Sequence, residues 1–374
     1  MNLDRIRLAK ILDTLKLTQG NKVMEVSFYV KFVVDVENHA VYLGTTDFHS
    51  FLVIDFGDVA LTNLDDVPGE FLIKFKQLHD LVKASTTEDV GFTHVTGNDW
   101  IRVVTNGSFE FPVYKEISQF PTADFKHEPA GEWDVPELSD IWEKVSTVVS
   151  KDVTKLSYQG VNYDGNWCAS DNRRFAMVMG GEDHKYEGDS MLIPTVFGDI
   201  LSRCSGTVSM GKNNMGNMLV INNPESGLVG AMRLLDAKFV QYERVLEMRS
   251  PHIKMVMPKQ FLLGTLRRLQ CFTDKIFKVG IFTITRSAEG ATLRCQIEHD
   301  ANTGDETLDA MDFEFDGELP EVGEVAQFQY QIDNLATGIN AVDSQEEVSI
   351  SFQQDGKLWI DEGGFHYLLS RISS

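Results

Sequence analysis

The chain has 374 residues, 43% of them hydrophobic and 24% charged, and carries a formal net charge of −22. That composition excludes a disordered chain and a helical membrane bundle, and the length exceeds one core of roughly 100–150 residues, so two or three domains are expected. No apolar run approaches the ~18 residues of a spanning helix, and the opening MNLDRIRLAK is broken by charges; a cytoplasmic protein with no membrane partner is the expectation.

The first helix candidate, LDRIRLAKILDTLK (3–16), spaces Leu3, Ile6, Leu8, Ile11, Leu12 and Leu15 for one helical face. Strand alternation follows and reaches a polar corner at Asp47 in YLGTTDFHSFLVI. Asp55-Phe56-Gly57 spells a kinase metal-binding tripeptide, but no glycine-rich loop or strand lysine accompanies it, so it reads as a strand end. A second helix candidate, IKFKQLHDLVKA (73–84), the hairpin WIRVVTNGSFEFPV and the segment QFPTADF (119–125) complete this third.

The same order then returns twice. The middle third holds the helix PELSDIWEKVSTVVSK (136–151), a corner at Asp171 in WCASDNRRFAMV, the helix PTVFGDILSRC (194–204), the hairpin MLVINNPESGLVGAM and the closing KFVQYER (238–244). The last third holds the helix PKQFLLGTLRRLQCF (258–272), a corner at Asp300 in LRCQIEHDANTGDE, the helix IDNLATGINAV (332–342) and the hairpin KLWIDEGGFHYLLS. Proline in the first turn is expected to open the 136–151 and 258–272 helices. Recurrence in one order predicts an α+β fold of three repeated domains, 1–125, 126–250 and 251–374, each with two helices on antiparallel sheet.

Catalytic signatures are weak. The stretch from Asp300 to Met311 begins like a calcium loop, but Gly304 and Met311 stand where ligands belong, and an acidic turn is expected. GxSxG, HExxH and P-loop patterns are absent, and Cys168, Cys204, Cys271 and Cys295 form no CxxC pair, so neither zinc nor a redox dithiol is expected and the thiols read as reduced. Charge is segregated: the helix candidates together are net positive, while the remainder is more acidic than the whole chain. Helices sharing one face would present a positive surface on an acidic protein, which points to nucleic acid.

Several segments carry a resemblance to a known family: SKDVTKLSYQGVNYDGNWCASDNRRFAMV, LIPTVFGDILSRC, LLDAKFVQYERVL and LWIDEGGFHYLLSRI. Over essentially its full length the chain resembles the bacterial sliding clamp, the beta subunit of DNA polymerase III. The resemblance implies a head-to-tail homodimeric ring around duplex DNA, with helices lining the hole. It implies a non-catalytic processivity factor, without cofactor or metal, whose partners are duplex DNA of any sequence, a replicative polymerase, a clamp loader and its own second copy, in the nucleoid-associated cytoplasm.

The resemblance further places a partner-peptide cleft at Tyr158, Ser170, Arg174, Phe175, Val240, Arg244, Val245, Leu368 and Ile372. DNA contacts fall on Lys22, Lys83 and the turn around Lys155, to which helix charge adds Lys151, Arg203 and Arg267. A dimer contact would join Phe109 and Phe111 to Cys271 and Phe272, with burial inside one chain as the competing reading for these side chains. Departures from the family pattern, Asn172-Arg173 for Gly-His, Val240 for Pro and the ending Ser370-Arg371-Ile372-Ser373-Ser374, point to a divergent clamp, with a virus of bacteria as one source. Two other readings stand beside it: an enzyme using dispersed carboxylates such as Asp47 and Asp171, and an acidic protein-binding scaffold that never encircles DNA.

Overall fold

A computed structural model describes the chain except residues 21–23, 58–62, 98, 182–185, 187, 274–277, 288–289, 300–301, 317–321 and 373–374. The first stretch runs β1 (Asn2–Asp4), α1 (Arg5–Leu15), β2 (Tyr29–Asp35), β3 (Ala40–Thr46), β4 (Ser50–Asp55), β5 (Glu70–Lys74), α2 (Phe75–Ala84), β6 (Asp89–His94), β7 (Trp100–Val104) and β8 (Ser108–Pro112). The second repeats that order as β9 (Gly131–Asp134), α3 (Val135–Ser146), β10 (Gly160–Tyr163), β11 (Trp167–Ser170), β12 (Arg174–Val178), β13 (Met191–Pro194), α4 (Val196–Leu201), β14 (Thr207–Lys212), β15 (Met218–Asn223) and β16 (Leu228–Arg233), then adds α5 (Tyr242–Glu247). The third runs β17 (Ile253–Pro258), α6 (Lys259–Gln270), β18 (Val279–Arg286), β19 (Ala291–His299), β20 (Asn302–Asp309), β21 (Asp312–Phe315), β22 (Gly323–Gln331), α7 (Ile332–Asn340), β23 (Glu347–Phe352), β24 (Leu358–Glu362) and β25 (Phe365–Leu369), differing by one extra strand.

Compactness follows the sheets. One unit comprises Met1–Asp140 with Ile193–Leu234, the other Ile141–Leu192 with Leu235–Ser374. In the first unit a sheet of order β5-β2-β3-β4-β16-β15-β14-β9 is stitched from two sequence repeats through the antiparallel β4–β16 pair. In the second, β12 pairs with β25 in the order β10-β11-β12-β25-β24-β23-β17-β21. Sheet pairing thus crosses the repeat boundaries, which is why the compact units do not coincide with sequence thirds.

Within the first unit α1 packs beside α2, and Asp4 caps α1 by accepting from the Arg7 N–H at 2.7 Å. Leu8, Leu12 and Leu78 are fully buried, and Phe32 stacks on Phe71 at 4.7 Å. Along β2 Val30 and Phe32 point into this core while Lys31 and Val33 are half-buried on the opposite face, the period-two pattern of a strand. Within the second unit α6 packs beside α7, burying Leu262, Leu266 and Ile339. Hairpins close on left-handed glycines where the sequence places them, Gly227 (φ 63°) between β15 and β16 and Gly363 (φ 54°) between β24 and β25.

Four expectations change. The stretch expected as an acidic turn is largely strand β20, paired antiparallel to β19; its acidic side chains find cations there, Asp305 with Arg294 across the pair and Glu306 with Arg268. α4 spans only Val196–Leu201, since Pro194 belongs to β13. α3 ends at Ser146 and leaves Lys151 in the turn that follows. Pro258 ends β17 and occupies the cap before α6, outside its first turn. Asp55-Phe56-Gly57 does close strand β4, and the corner expected at Asp300 lies outside the described residues.

Candidate functional site

The corner between β11 and β12 is built by one carboxylate. Asp171 Oδ1 accepts from the backbone N–H groups of Arg173 (3.0 Å) and Arg174 (2.8 Å), which lets Asn172 adopt a left-handed φ of 78°. Its Oδ2 binds the Arg174 guanidinium, 2.8 Å from Nε and 2.6 Å from Nη2, and the Ser170 hydroxyl donates to the Arg174 carbonyl at 2.8 Å. Arg174 is therefore held in place, while Arg173 is exposed at the tip. The register then fixes Phe175 opposite Leu368 of β25, and Leu368 opposite Trp359 of β24.

On this frame Cys168, Phe175, Met177, Tyr242, Trp359 and Leu368 form one buried apolar cluster, with Phe239, Val240, Val245 and Leu246 packed against it. Tyr242 is its hub: its ring stacks on Phe175 at 5.9 Å, its hydroxyl donates to Asp164 Oδ1 at 3.0 Å, and Asn166 Nδ2 donates to that hydroxyl at 3.2 Å. Burial pushes the Tyr242 hydroxyl well up, as it does the Cys168 thiol, so both stay neutral near pH 7.

Seven of the nine residues expected in a cleft gather here. Phe175 and Leu368 are in the cluster, Val240 and Val245 lie against it, and Ser170 and Arg174 hold its corner. Tyr158 reaches the corner through its hydroxyl, 3.5 Å from Asn172 Oδ1. Arg244 is exposed on α5, and Ile372 is tied by its N–H to the Gln329 carbonyl (2.9 Å). Tyr242, Met177 and Trp359 were missed in the sequence; the recurrence of QFPTADF as KFVQYER was the available signal for Tyr242.

The basic residues separate into different settings. Lys83, on α2, is 2.7 Å from Asp13, which also lies 2.8 Å from His79. Burial raises the Asp13 carboxyl, but hydrogen bonds from Lys83 and His79 outweigh it and hold the group below its ordinary value. Arg267 is exposed on the last turn of α6, where a cation complements the helix dipole, and Arg203 is exposed just past α4. Lys151 and Lys155 are exposed in the turn after α3, Lys155 lying 6.0 Å above the Tyr158 ring. Lys22 lies outside the described residues.

Of the side chains expected at a dimer contact, Phe109 is 44% exposed on β8, which ends the sheet β1-β6-β7-β8, and Phe272 is 45% exposed just beyond α6. Cys271 is exposed, whereas Phe111 is buried within its own unit. Among the described residues no three His, Cys, Asp or Glu side chains gather to hold a metal ion, and no helix is long and apolar enough to cross a membrane.

No protein-family model matches the sequence, and no curated protein matches it. Solved structures do. The DNA polymerase III subunit beta of Pseudomonas aeruginosa matches at 16% identity and TM-score 0.82, covering 100% of this chain and 99% of that one. The DNA polymerase sliding clamp of Bacillus subtilis matches at 13% identity and TM-score 0.85, covering 100% and 98%. The beta subunit of the DNA polymerase of Streptococcus pyogenes matches at 14% identity and TM-score 0.83, covering 100% and 99%. From end to end, the chain has the fold of the bacterial sliding clamps.

Proposed function

We propose that the chain is a sliding clamp: a non-catalytic subunit that closes head-to-tail with a second copy around duplex DNA and tethers a replicative polymerase and a clamp loader. The observation that carries this reading is the likeness in fold to sliding clamps over the whole chain, at TM-scores from 0.81 to 0.85. The element order, given three times, supports reading 1–125, 126–250 and 251–374 as three clamp domains, even though sheet pairing groups them into two compact units.

In this reading the exposed cations Arg267, Arg203, Lys151 and Lys155 make diffuse phosphate contacts, each weak enough to permit sliding along any sequence. Extended partner segments dock on the surface over Phe175, Tyr242 and Leu368, with the Arg174 corner fixing their register. The edge strand carrying Phe109 meets the helix end carrying Phe272 in the second copy. The enzyme alternative is weakened, because Asp47 and Asp171 each spend Oδ1 on two backbone N–H groups of their own corners and Asp171 Oδ2 is paired with Arg174.

The test is topological. Protein loaded on a closed circular plasmid should stay bound through a high-salt wash and be released when the plasmid is cut once. Equal retention on linear DNA with free ends would contradict encirclement.

A further inference from the structure

The backbone hydrogen bonds of the Asp171 corner have a counterpart in the first unit. Asp47 Oδ1 accepts from the N–H groups of His49 (2.9 Å) and Ser50 (2.6 Å), Thr46 Oγ1 donates to the Ser50 carbonyl (2.9 Å), and Phe48 has a positive φ of 71°, as Asn172 has 78°. The register extends the match. Phe51 stands opposite Thr46 and Ala231, as Phe175 stands opposite Ser170 and Leu368. Ala123 and Phe125 of QFPTADF pack on Phe51, Val220 and Ala231, as the segment around Tyr242 packs in the second unit.

Five matched positions differ in one direction. Where the second unit has Cys168, Met177, Tyr242, Trp359 and Leu368, the first has Gly44, Val53, Ala123, Val220 and Ala231. Each change removes side-chain volume, while the rings of Phe51 and of Phe120, matched to Phe239, are kept. Interiors are close-packed, so volume removed on one side and not refilled leaves a void. A partly open cavity of about 190 Å³ is there, lined by three of these positions, Gly44, Val53 and Ala123, together with Phe51, Phe120 and Pro121. Lys31 borders it too, its Nζ 6.0 Å from the Phe120 ring and 3.0 Å from Glu70.

We propose that this cavity is a second docking pocket, which takes the bulky apolar anchor of an extended partner segment. An apolar cavity of about 150 Å³ holds one benzene molecule, so the volume here suits a single phenylalanine or leucine side chain. The kind of partner rests on reading the matched surface of the second unit as a peptide-docking surface; the pocket itself rests on the void. In the second unit Met177 and Tyr242 stand where the cavity has Val53 and Ala123, so the two surfaces would take segments of different anchor size.

The test uses the full chain with labelled methyl groups at Val53 and Ala123, and the pentapeptide Thr-Leu-Thr-Phe-Thr as probe. The peptide should shift both methyls, and its Phe-to-Ala version should bind about tenfold more weakly or not at all, as expected for a buried anchor. Ala123→Tyr, which copies Tyr242, and independently Val53→Met, which copies Met177, should fill the cavity and abolish the shift of the remaining labelled methyl while keeping the wild-type melting temperature or raising it. Unshifted methyls in the wild type, or an undiminished shift of the remaining methyl in both folded variants, would overturn the proposal. Arg174→Ala separates the two surfaces. Peptide binding lost there but kept in Ala123→Tyr overturns the pocket and leaves the second-unit reading intact; the reverse pattern supports the pocket and removes that reading.

Discussion

Replacing Phe175 or Phe51 by alanine deletes the same ring from the same position of two matched corners, yet the two deletions should differ in cost. Phe175 is 3% exposed and stacks on Tyr242 at 5.9 Å within a cluster that includes Trp359 and Leu368. Phe51 is 9% exposed, but one side of its ring faces the 190 Å³ void. Core Phe-to-Ala changes cost about 3–5 kcal/mol, the sum of lost transfer energy and the cavity left behind. A ring already missing partner atoms on one side has less dispersion energy to lose. Phe175→Ala is therefore expected near the top of that range and Phe51→Ala at or below its bottom, a difference of about 1–2 kcal/mol. Urea titration followed by tryptophan fluorescence reports both units, through Trp167 and Trp359 in one and Trp133 in the other, and allows for separate transitions. An equal or larger loss for Phe51→Ala would refute the packing difference between the corners.

Asp171→Ala should cost about 1–3 kcal/mol by stranding corner N–H groups and the Arg174 guanidinium, whereas Asp171→Asn, which keeps one acceptor oxygen, should cost less; equal costs in urea titrations would count against the corner as described. The Asp13 carboxyl is held below its ordinary value, so its contribution is fully present above the usual aspartate range and is lost as pH falls through the folded value. Asp13→Asn should lower stability at pH 7 by less than about 1 kcal/mol, because the Lys83 pair is exposed, and should flatten the acid limb of stability against pH; an unchanged limb would refute the linkage. Arg267→Ala should reduce the steepness of DNA affinity against salt by about 0.9 for each phosphate contact removed, and an unchanged slope would take Arg267 off the DNA face. Phe109→Asp should yield a folded monomer by light scattering, while an unaltered mass would exclude β8 from the dimer contact.

The repeat was legible because helical spacing and corner residues are local signals. LDRIRLAKILDTLK and PKQFLLGTLRRLQCF both fold as helices, and the Asp-ended corners at 47 and 171 turn where a carboxylate can accept two N–H groups. The acidic stretch after Asp300 misled because its charges are answered from elsewhere: Arg294 sits across the strand pair and Arg268 on α6, and neither is visible in a local window. Much of the apolar cluster beside the Asp171 corner was legible through Phe175, Val240 and Leu368. Tyr242 and Trp359 were not, because their place depends on β12–β25 and β24–β25 register, a long-range property. The void beside Phe51 was still further out of reach, since it exists only as a difference between two corners that the sequence makes look alike.

The most direct test of a clamp that encircles DNA is the mass of the assembled protein together with an image of the particle. The account predicts a dimer of the 42.1 kDa chain, closed into a ring whose hole admits duplex DNA. A monomer, or a dimer without a central hole, would contradict it.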